Sequence, residues 1–456
     1  MNVTVCNPLL RTPLSLIVDD SCPVINLTYY WIQQRHAWKA RHQPGVPPDR
    51  WEGNATQLKK IPPTIPANFA AEWAEWCWEN GVKGKFSLIP YPAGMGRVDE
   101  GFPDFPTLEY QAWLRVYREL IWPSFDLTPE MLTHTAVVDL DTFTLTEEWE
   151  QVEWVDPPVD NRLTDYIITA MEMLDNVGIP CEGVTSPGAF GKRQEAAYAK
   201  AVLTASQQVN NNPRPFYFLW LKHDELPDVP IWYADKENGI AIASIVSCAG
   251  DWFGGWTGYD LGSADRFITE DLQGGRLPLI LEKELPCVLV GHWPGFYFNG
   301  EKLGFDVLKT VKTRLDNYDP DGTKTRWMKT SEIGHYWMAR ELTDISVSEQ
   351  NASCPPENGG QNASCPSENR GRNASCPPEK GGRGVTREIN LSTQFPTANF
   401  TLAIDAPVRH VQVNGWDLRE VRSRRDFQSN TFLCEGSQTF IAFDLEIGDT
   451  ELTLTV

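Results

Sequence analysis

The stretch Pro66-Ala-Asn-Phe-Ala-Ala-Glu-Trp-Ala-Glu-Trp-Cys-Trp-Glu-Asn80, followed by Gly81 and then by Gly84-Lys-Phe-Ser-Leu-Ile89, decides the fold class. Its apolar residues recur at helical spacing, Gly81 supplies a left-handed stop, and a short apolar run begins three residues later. Upstream, residues 14–18 form another apolar run that ends at Asp19-Asp20. Strand, helix and strand therefore make one β-α-β unit, which requires parallel strands.

The same rhythm continues along the chain. A helix is predicted over 108–120, a strand over 131–138, and a helix over 163–176 that stops at Gly178, before a strand leading to Thr185-Ser186-Pro187. Further strands are predicted at 216–221, 240–247, 286–290 and 326–329, with helices near 195–209, 265–272 and 304–315. About seven or eight such units favour a parallel sheet closed, or nearly closed, into a (β/α) barrel.

At 456 residues and 41% hydrophobic, the chain exceeds a single barrel of roughly 250 to 350 residues, so more than one domain is expected. Residues 351–383 read NASCPPENGGQ, NASCPSENRGR and NASCPPEKGGR, three copies of an eleven-residue unit rich in Pro, Gly, Asn and Ser. Such a unit buries too little apolar surface to offset its ordering entropy, which predicts a disordered spacer. Each unit offers one thiol (Cys354, Cys365, Cys376) and no histidine, which disfavours a metal array. Beyond the spacer, short apolar or alternating runs at 400–404, 411–413, 439–443 and 452–456 predict a small all-β sandwich. The expected organisation is a barrel over 1–345, a linker over 346–384 and a sandwich over 385–456.

A formal charge of -21 repels phosphate backbones and anionic lipid headgroups, so neither nucleic acid nor membrane is an expected partner. No apolar run of about 18 residues occurs, and residues 1–20 lack a secretory pattern, which points to the cytoplasm. On that reading the Asn-X-Ser/Thr sequons at Asn2, Asn26, Asn54, Asn351, Asn362, Asn373, Asn390 and Asn399 are chance or repeat copies. The scattered cysteines 6, 22, 77, 181, 248, 287 and 434 show no zinc spacing, so reduced thiols are expected. Of the 18 tryptophans, core packing accounts for most, although flat indole faces also stack on sugar rings.

In parallel barrels, reactive groups sit where strands end at their C-termini. Asp19-Asp20, His134, Asp251-Trp252 and His292-Trp293 all follow apolar runs. Taken singly, Asp19-Asp20 could cap a turn and His134 or His292 could be structural. On one face together they point to a metal or acid/base site. His223, Asp224 and Glu225 fit a solvated loop, and Glu332 fits the first turn of a helix.

Leu16-Ile17-Val18-Asp19-Asp20 resembles the first motif of the polysaccharide deacetylase (NodB-homology) family, where one Asp is the general base and the next binds a divalent metal. His134-Thr135 resembles the start of that family's His-Ser/Thr-x-x-His metal motif. Thr185-Ser186-Pro187 stands where an Arg-x-Pro segment would, Gly250-Asp251-Trp252 is similar to its Asp-Trp segment, and Leu289-Val290-Gly291-His292 is similar to the segment carrying the catalytic acid. The match spans most of residues 10–340, and the string is similar to bacterial deacetylase-like sequences.

The sequence departs from the family at Val138, which replaces the second metal-binding His and leaves Asp139 as a substitute ligand, and at Thr185, which replaces the arginine that positions the base. The resemblance implies a metal-dependent hydrolase that removes acyl groups from a carbohydrate. Asp19 and His292 would be catalytic, Asp20, His134 and Asp139 would hold Zn, Mn, Ni or Co, and Ser186, Asp251, Trp252 and Trp293 would contact the sugar. A glycoside hydrolase or lyase on the same barrel, or a non-catalytic carbohydrate-binding protein, is the alternative.

Deletion of residues 351–383 is expected to leave the melting temperature and any barrel activity unchanged. A loss of several degrees would show that the repeats pack on a domain.

Overall fold

The computed structural model describes residues 1–47, 59–255, 260–349 and 385–456. The repeats that read as a linker, with Cys354, Cys365 and Cys376, lie outside the described residues, as does the sequon at Asn54. In chain order the first strands are β1 (Val3–Val5), β2 (Thr12–Asp19), β3 (Gly84–Leu88), β4 (Phe125–Pro129), β5 (Ala136–Asp139), β6 (Thr144–Trp149) and β7 (Gly183–Thr185). They continue as β8 (Phe216–Leu221), β9 (Ile231–Asp235), β10 (Ile240–Ser247), β11 (Cys287–His292), β12 (Thr325–Trp327) and β13 (Asp344–Glu349).

The molecule is a mixed α/β protein, as the alternating pattern requires. β2 is buried along its whole length and pairs in parallel with β11, β3 and β12, while β4 extends the sheet beyond β3. A second sheet runs β7-β8-β10, also parallel, with β9 added antiparallel at its edge. The expected barrel does not form one continuous ladder. The two sheets meet at one edge through a parallel bridge between Leu127 and Cys181, and at the other through the Cys248 N–H donating to the Val288 carbonyl at 2.8 Å. Backbones approach closely where β3 begins: a Cβ on Gly84 would collide with the Leu16 carbonyl, so only glycine fits there.

Helices at Ala67–Glu79, Asn161–Asp175, Glu195–Asn210 and Leu303–Tyr318 fall close to their predicted positions. The strand expected over 131–138 is instead β4, ending at Pro129, followed by a loop and the short β5. Asp126 disguised it. A carboxylate inside a buried strand breaks the apolar pattern, and it is accommodated because Ser331 donates to it from both its backbone N–H (2.6 Å) and its hydroxyl (2.8 Å). Burial nevertheless pushes the Asp126 carboxyl up to about 7, against the opposing pull of those hydrogen bonds.

The remaining strands, β14 (Thr386–Thr393), β15 (Thr397–Ile404), β16 (His410–Val413), β17 (Trp416–Asp417), β18 (Arg419–Val421), β19 (Thr431–Glu435), β20 (Gln438–Leu445) and β21 (Gly448–Thr455), form two sheets. Their orders are β1-β15-β20-β19-β18 and β13-β14-β21-β16-β17. Strands from the extreme N-terminus and from 344–349 thus complete sheets that local pattern placed within 385–456, because strand pairing is set by tertiary contact. The inner faces share Ile389, Leu391, Leu402, Ile441, Phe443 and Leu454. The same apolar cluster continues into Ile17, Ile245 and Val290 through the helix Thr330–Leu342.

Tyr336 on that helix ties the parts together: its hydroxyl donates to the Cys6 carbonyl at 2.7 Å and accepts from the Thr401 N–H at 3.2 Å. Tyr336→Phe removes the hydroxyl from both backbone groups, leaving the buried Thr401 N–H without it, and is expected to cost about 1 to 3 kcal/mol, read as a lower midpoint in urea unfolding. An unchanged midpoint would show that the contact contributes nothing.

Candidate active site

Asp19 closes β2 in register with His292 at the end of β11, so the chain brings these two predicted residues side by side. Asp20 follows with φ of 61°, a left-handed conformation that turns its side chain out of the strand. The two acids then find different partners. Asp19 Oδ1 accepts a hydrogen bond from the fully buried ammonium of Lys85 on β3. Asp20 Oδ1 lies 2.8 Å from Nε2 of His134.

Glu130, the first residue after β4, joins them. Its Oε2 accepts from the Asp20 N–H at 2.9 Å and from the Ser87 hydroxyl, and its Oε1 lies 3.3 Å from His134 Nε2. His134 sits in a loop with φ of 62°, strained for a side chain with a Cβ. The loop is held by Glu150, which accepts the Thr133 N–H (3.0 Å), the His134 N–H (2.7 Å) and the Tyr166 hydroxyl (2.6 Å). Burial lifts the Glu150 carboxyl to about 7 despite those donors. Gln151 places its amide nitrogen 3.3 Å from each His134 ring nitrogen and is oriented by the Trp31 indole N–H, which donates to its carbonyl.

On the open side, His292 Nδ1 lies 2.8 Å from Asp251 Oδ2, and Nε2 lies 3.9 Å from Asp20 Oδ2. These groups bury several negative charges together. Burial raises the Asp19 carboxyl, with Lys85 opposing and Glu130 adding to the rise. For Asp20 burial also acts upward, but the imidazoles of His134 and His292 outweigh it and hold the carboxyl below its ordinary value. Burial favours neutral imidazoles, yet Asp20 and Glu130 hold His134 well above the usual range, and Asp251, then Asp20, lift His292 to about 10. The cluster demands positive charge.

Asp20, Glu130 and His134 could hold a metal ion: one donor atom from each lies within 4.8 Å of the others, and all three side chains are buried. The fit has a specific sign. Asp20 Oδ1 is buried and takes no hydrogen bond of acceptable geometry, although Nε2 of His134 is only 2.8 Å away. Two donors facing one point at that separation is what an ion between ligands requires, and two carboxylates with one imidazole suit a divalent cation.

Other predicted residues lie elsewhere. Asp139 is exposed and accepts the Asp141 and Thr142 N–H groups at 3.0 Å each, a turn that places it outside the Asp20–Glu130–His134 group. Trp293 is not a sugar-contacting wall. It is fully buried among Phe86 (5.1 Å), Trp73 (5.6 Å) and Trp113 (5.9 Å), because the chain turns into a helix at Trp293–Tyr297 directly after His292. Ser186 is buried and spends its hydroxyl on the Phe190 carbonyl, and Thr185 accepts from Lys85. Trp252 remains half-buried beside Asp251, edge-on to Phe267. His223, Asp224 and Glu225 form an exposed loop, and Glu332 accepts the Lys329 N–H at the start of its helix.

Sequence reasoning missed Lys85, Glu130 and Glu150. Lys85 was visible as a lone charge inside the apolar run 84–89. Glu130 was hidden by the misplaced strand, and Glu150 by its distance along the chain from the loop it holds.

No family model matches the chain, and no curated protein is similar to it. Among solved structures, a probable polysaccharide deacetylase from Pseudomonas aeruginosa PAO1 aligns with 10% identity and a TM-score of 0.39, covering 73% of this chain and 93% of that one. A glycoside hydrolase/deacetylase candidate from Parabacteroides distasonis aligns with 9% identity and a TM-score of 0.35, covering 84% of this chain and 80% of that one.

Proposed function

We propose that this protein is a metal-dependent hydrolase that removes an acyl group from a carbohydrate, on a parallel barrel whose two sheets close at the Leu127–Cys181 and Cys248–Val288 seams. The observation that carries the reading is the division of labour within one buried cluster. Asp19 is tied to Lys85, Asp20 joins Glu130 and His134, and His292 pairs with Asp251.

A divalent ion held by Asp20, Glu130 and His134 would supply Lewis acidity, making water acidic near neutral pH and polarising an acyl carbonyl. Asp19 has one oxygen committed to Lys85, which leaves Oδ2 to accept the proton of the attacking water. His292, whose imidazolium form Asp251 favours, would carry the proton that a departing amine or alkoxide needs. Asp251 holds that imidazolium by its Nδ1, leaving Nε2 as the donating atom. The half-buried indole of Trp252, next to Asp251, offers a flat apolar face to a pyranose ring. The motif resemblance supports the acyl-sugar assignment.

Asp20→Ala, Glu130→Ala and His134→Ala are each expected to lose bound metal and activity together, and Asp139→Ala to keep both. Metal content by mass spectrometry after dialysis against Zn, Mn, Ni or Co checks this. If Asp20→Ala and His134→Ala bind metal as well as the parent, the ligand assignment fails.

Asp19→Asn keeps shape and hydrogen bonding but accepts no proton. It should retain metal and lose on the order of a hundredfold or more in turnover, and His292→Ala should do likewise. Acetate release from N-acetylated amino-sugar oligomers is the readout, and near-parental turnover in either variant would remove that residue from its role.

A further inference from the structure

Lys85 is a charged side chain with no solvent exposure. A buried ammonium persists only where its protons are used. One proton goes to Asp19 Oδ1 and another to Thr185 Oγ1 at 2.6 Å, while Nζ stands 5.2 Å from the centre of the Phe218 ring. Thr185 is itself fixed, since its hydroxyl oxygen lies 2.8 Å from that of Thr128. The ammonium, carried on β3, is therefore met from β2, β7 and β8 at once, with β4 bracing Thr185, and a long flexible stem is left with one geometry.

This bears on a problem that adjacent carboxylates pose. Asp19 and Asp20 leave the same strand end, and either could answer a cation placed nearby. Asp20 turns toward Glu130 and His134, whereas Asp19 already has a cation as its partner.

We infer that Lys85 is the positioning residue for Asp19: it holds Oδ1, leaves Oδ2 for the reaction centre, and keeps this carboxylate out of the ion-binding group formed by its neighbour. The inference rests on the reading of Asp19 as proton acceptor. A residue that only neutralised buried charge would affect stability without separating turnover from substrate binding. A positioning residue affects turnover.

The test is Lys85→Met in the full chain, with three readouts: metal stoichiometry, steady-state kinetics on N-acetylated chito-oligosaccharides, and a crystal structure. The expected result is a folded protein with metal at the parental ratio, kcat lower by on the order of a hundredfold, KM little changed, and the Asp19 carboxylate turned from its parental orientation. Parental kcat, loss of metal along with activity, or an unmoved Asp19 would each overturn the inference.

If Lys85→Met does not fold, Lys85→Ala combined with Thr185→Lys returns a cation to the same space from β7. Recovery of folding and of kcat at least tenfold above Thr185→Lys alone supports the inference. A folded double variant without that recovery, or one that also fails to fold, assigns Lys85 a purely structural role. Should the parent release no acetate from any oligomer, the reading of function fails on its own, and the Asp19 orientation in the parent and variant crystals still decides the positioning claim.

Discussion

Burying negative charge at the end of β2 is the constraint on which the rest of the site depends. Asp19, Asp20, Glu130 and Asp251 leave water together, and a carboxylate in a low-dielectric interior is costly unless a cation or hydrogen-bond donors meet it. Each has a particular answer: Lys85 for Asp19, His134 for Asp20, the Ser87 hydroxyl and Asp20 N–H for Glu130, and His292 for Asp251. Those answers come from β3, β11 and the loop after β4, so the register of the sheet and the charge pattern of the site are one requirement. The left-handed residues Asp20 and His134 follow from it, because regular strand geometry would carry their side chains away from the shared point.

Rigidity for such a site must come from packing around it. The core beside β2, β3 and β11 is heavily aromatic: Trp73 contacts Phe86, Phe125 and Trp293, and Trp293 contacts Trp113 and Phe69. Large rings with few rotatable bonds fill space at low entropic cost. The indoles of Trp73, Trp113 and Trp293 thus serve the scaffold, whereas Trp252 stays half-buried beside Asp251.

Toward the sandwich the helix Thr330–Leu342 has a comparable role. Its first turn satisfies Asp126 through Ser331, and Tyr336 reaches both the N-terminal segment and β15. The apolar cluster runs without a break from Ile17 to Leu454, so the strands of the sandwich and the sheet that carries the site share one core.

The sequence by itself determined the alternation of strand and helix and the residues that stand at several strand ends, because helical and strand periodicity are local and report which face is apolar. β8 and β10 were legible to the residue, and Asp19, Asp20, His134 and His292 were legible as polar groups following apolar runs. What only the tertiary structure decided was partnership. Lys85 is 66 residues from Asp19, and Glu130 is 110 from Asp20, so no local pattern pairs them. The placing of Glu130 rather than Asp139 beside Asp20 and His134, the burial of Trp293, and the recruitment of β1 and β13 to the sandwich were likewise decided by which backbones lie side by side. The physical reason is the range of the forces: periodicity is written within one turn or one pleat, whereas a buried charge can be satisfied from any strand that the fold brings within hydrogen-bond reach.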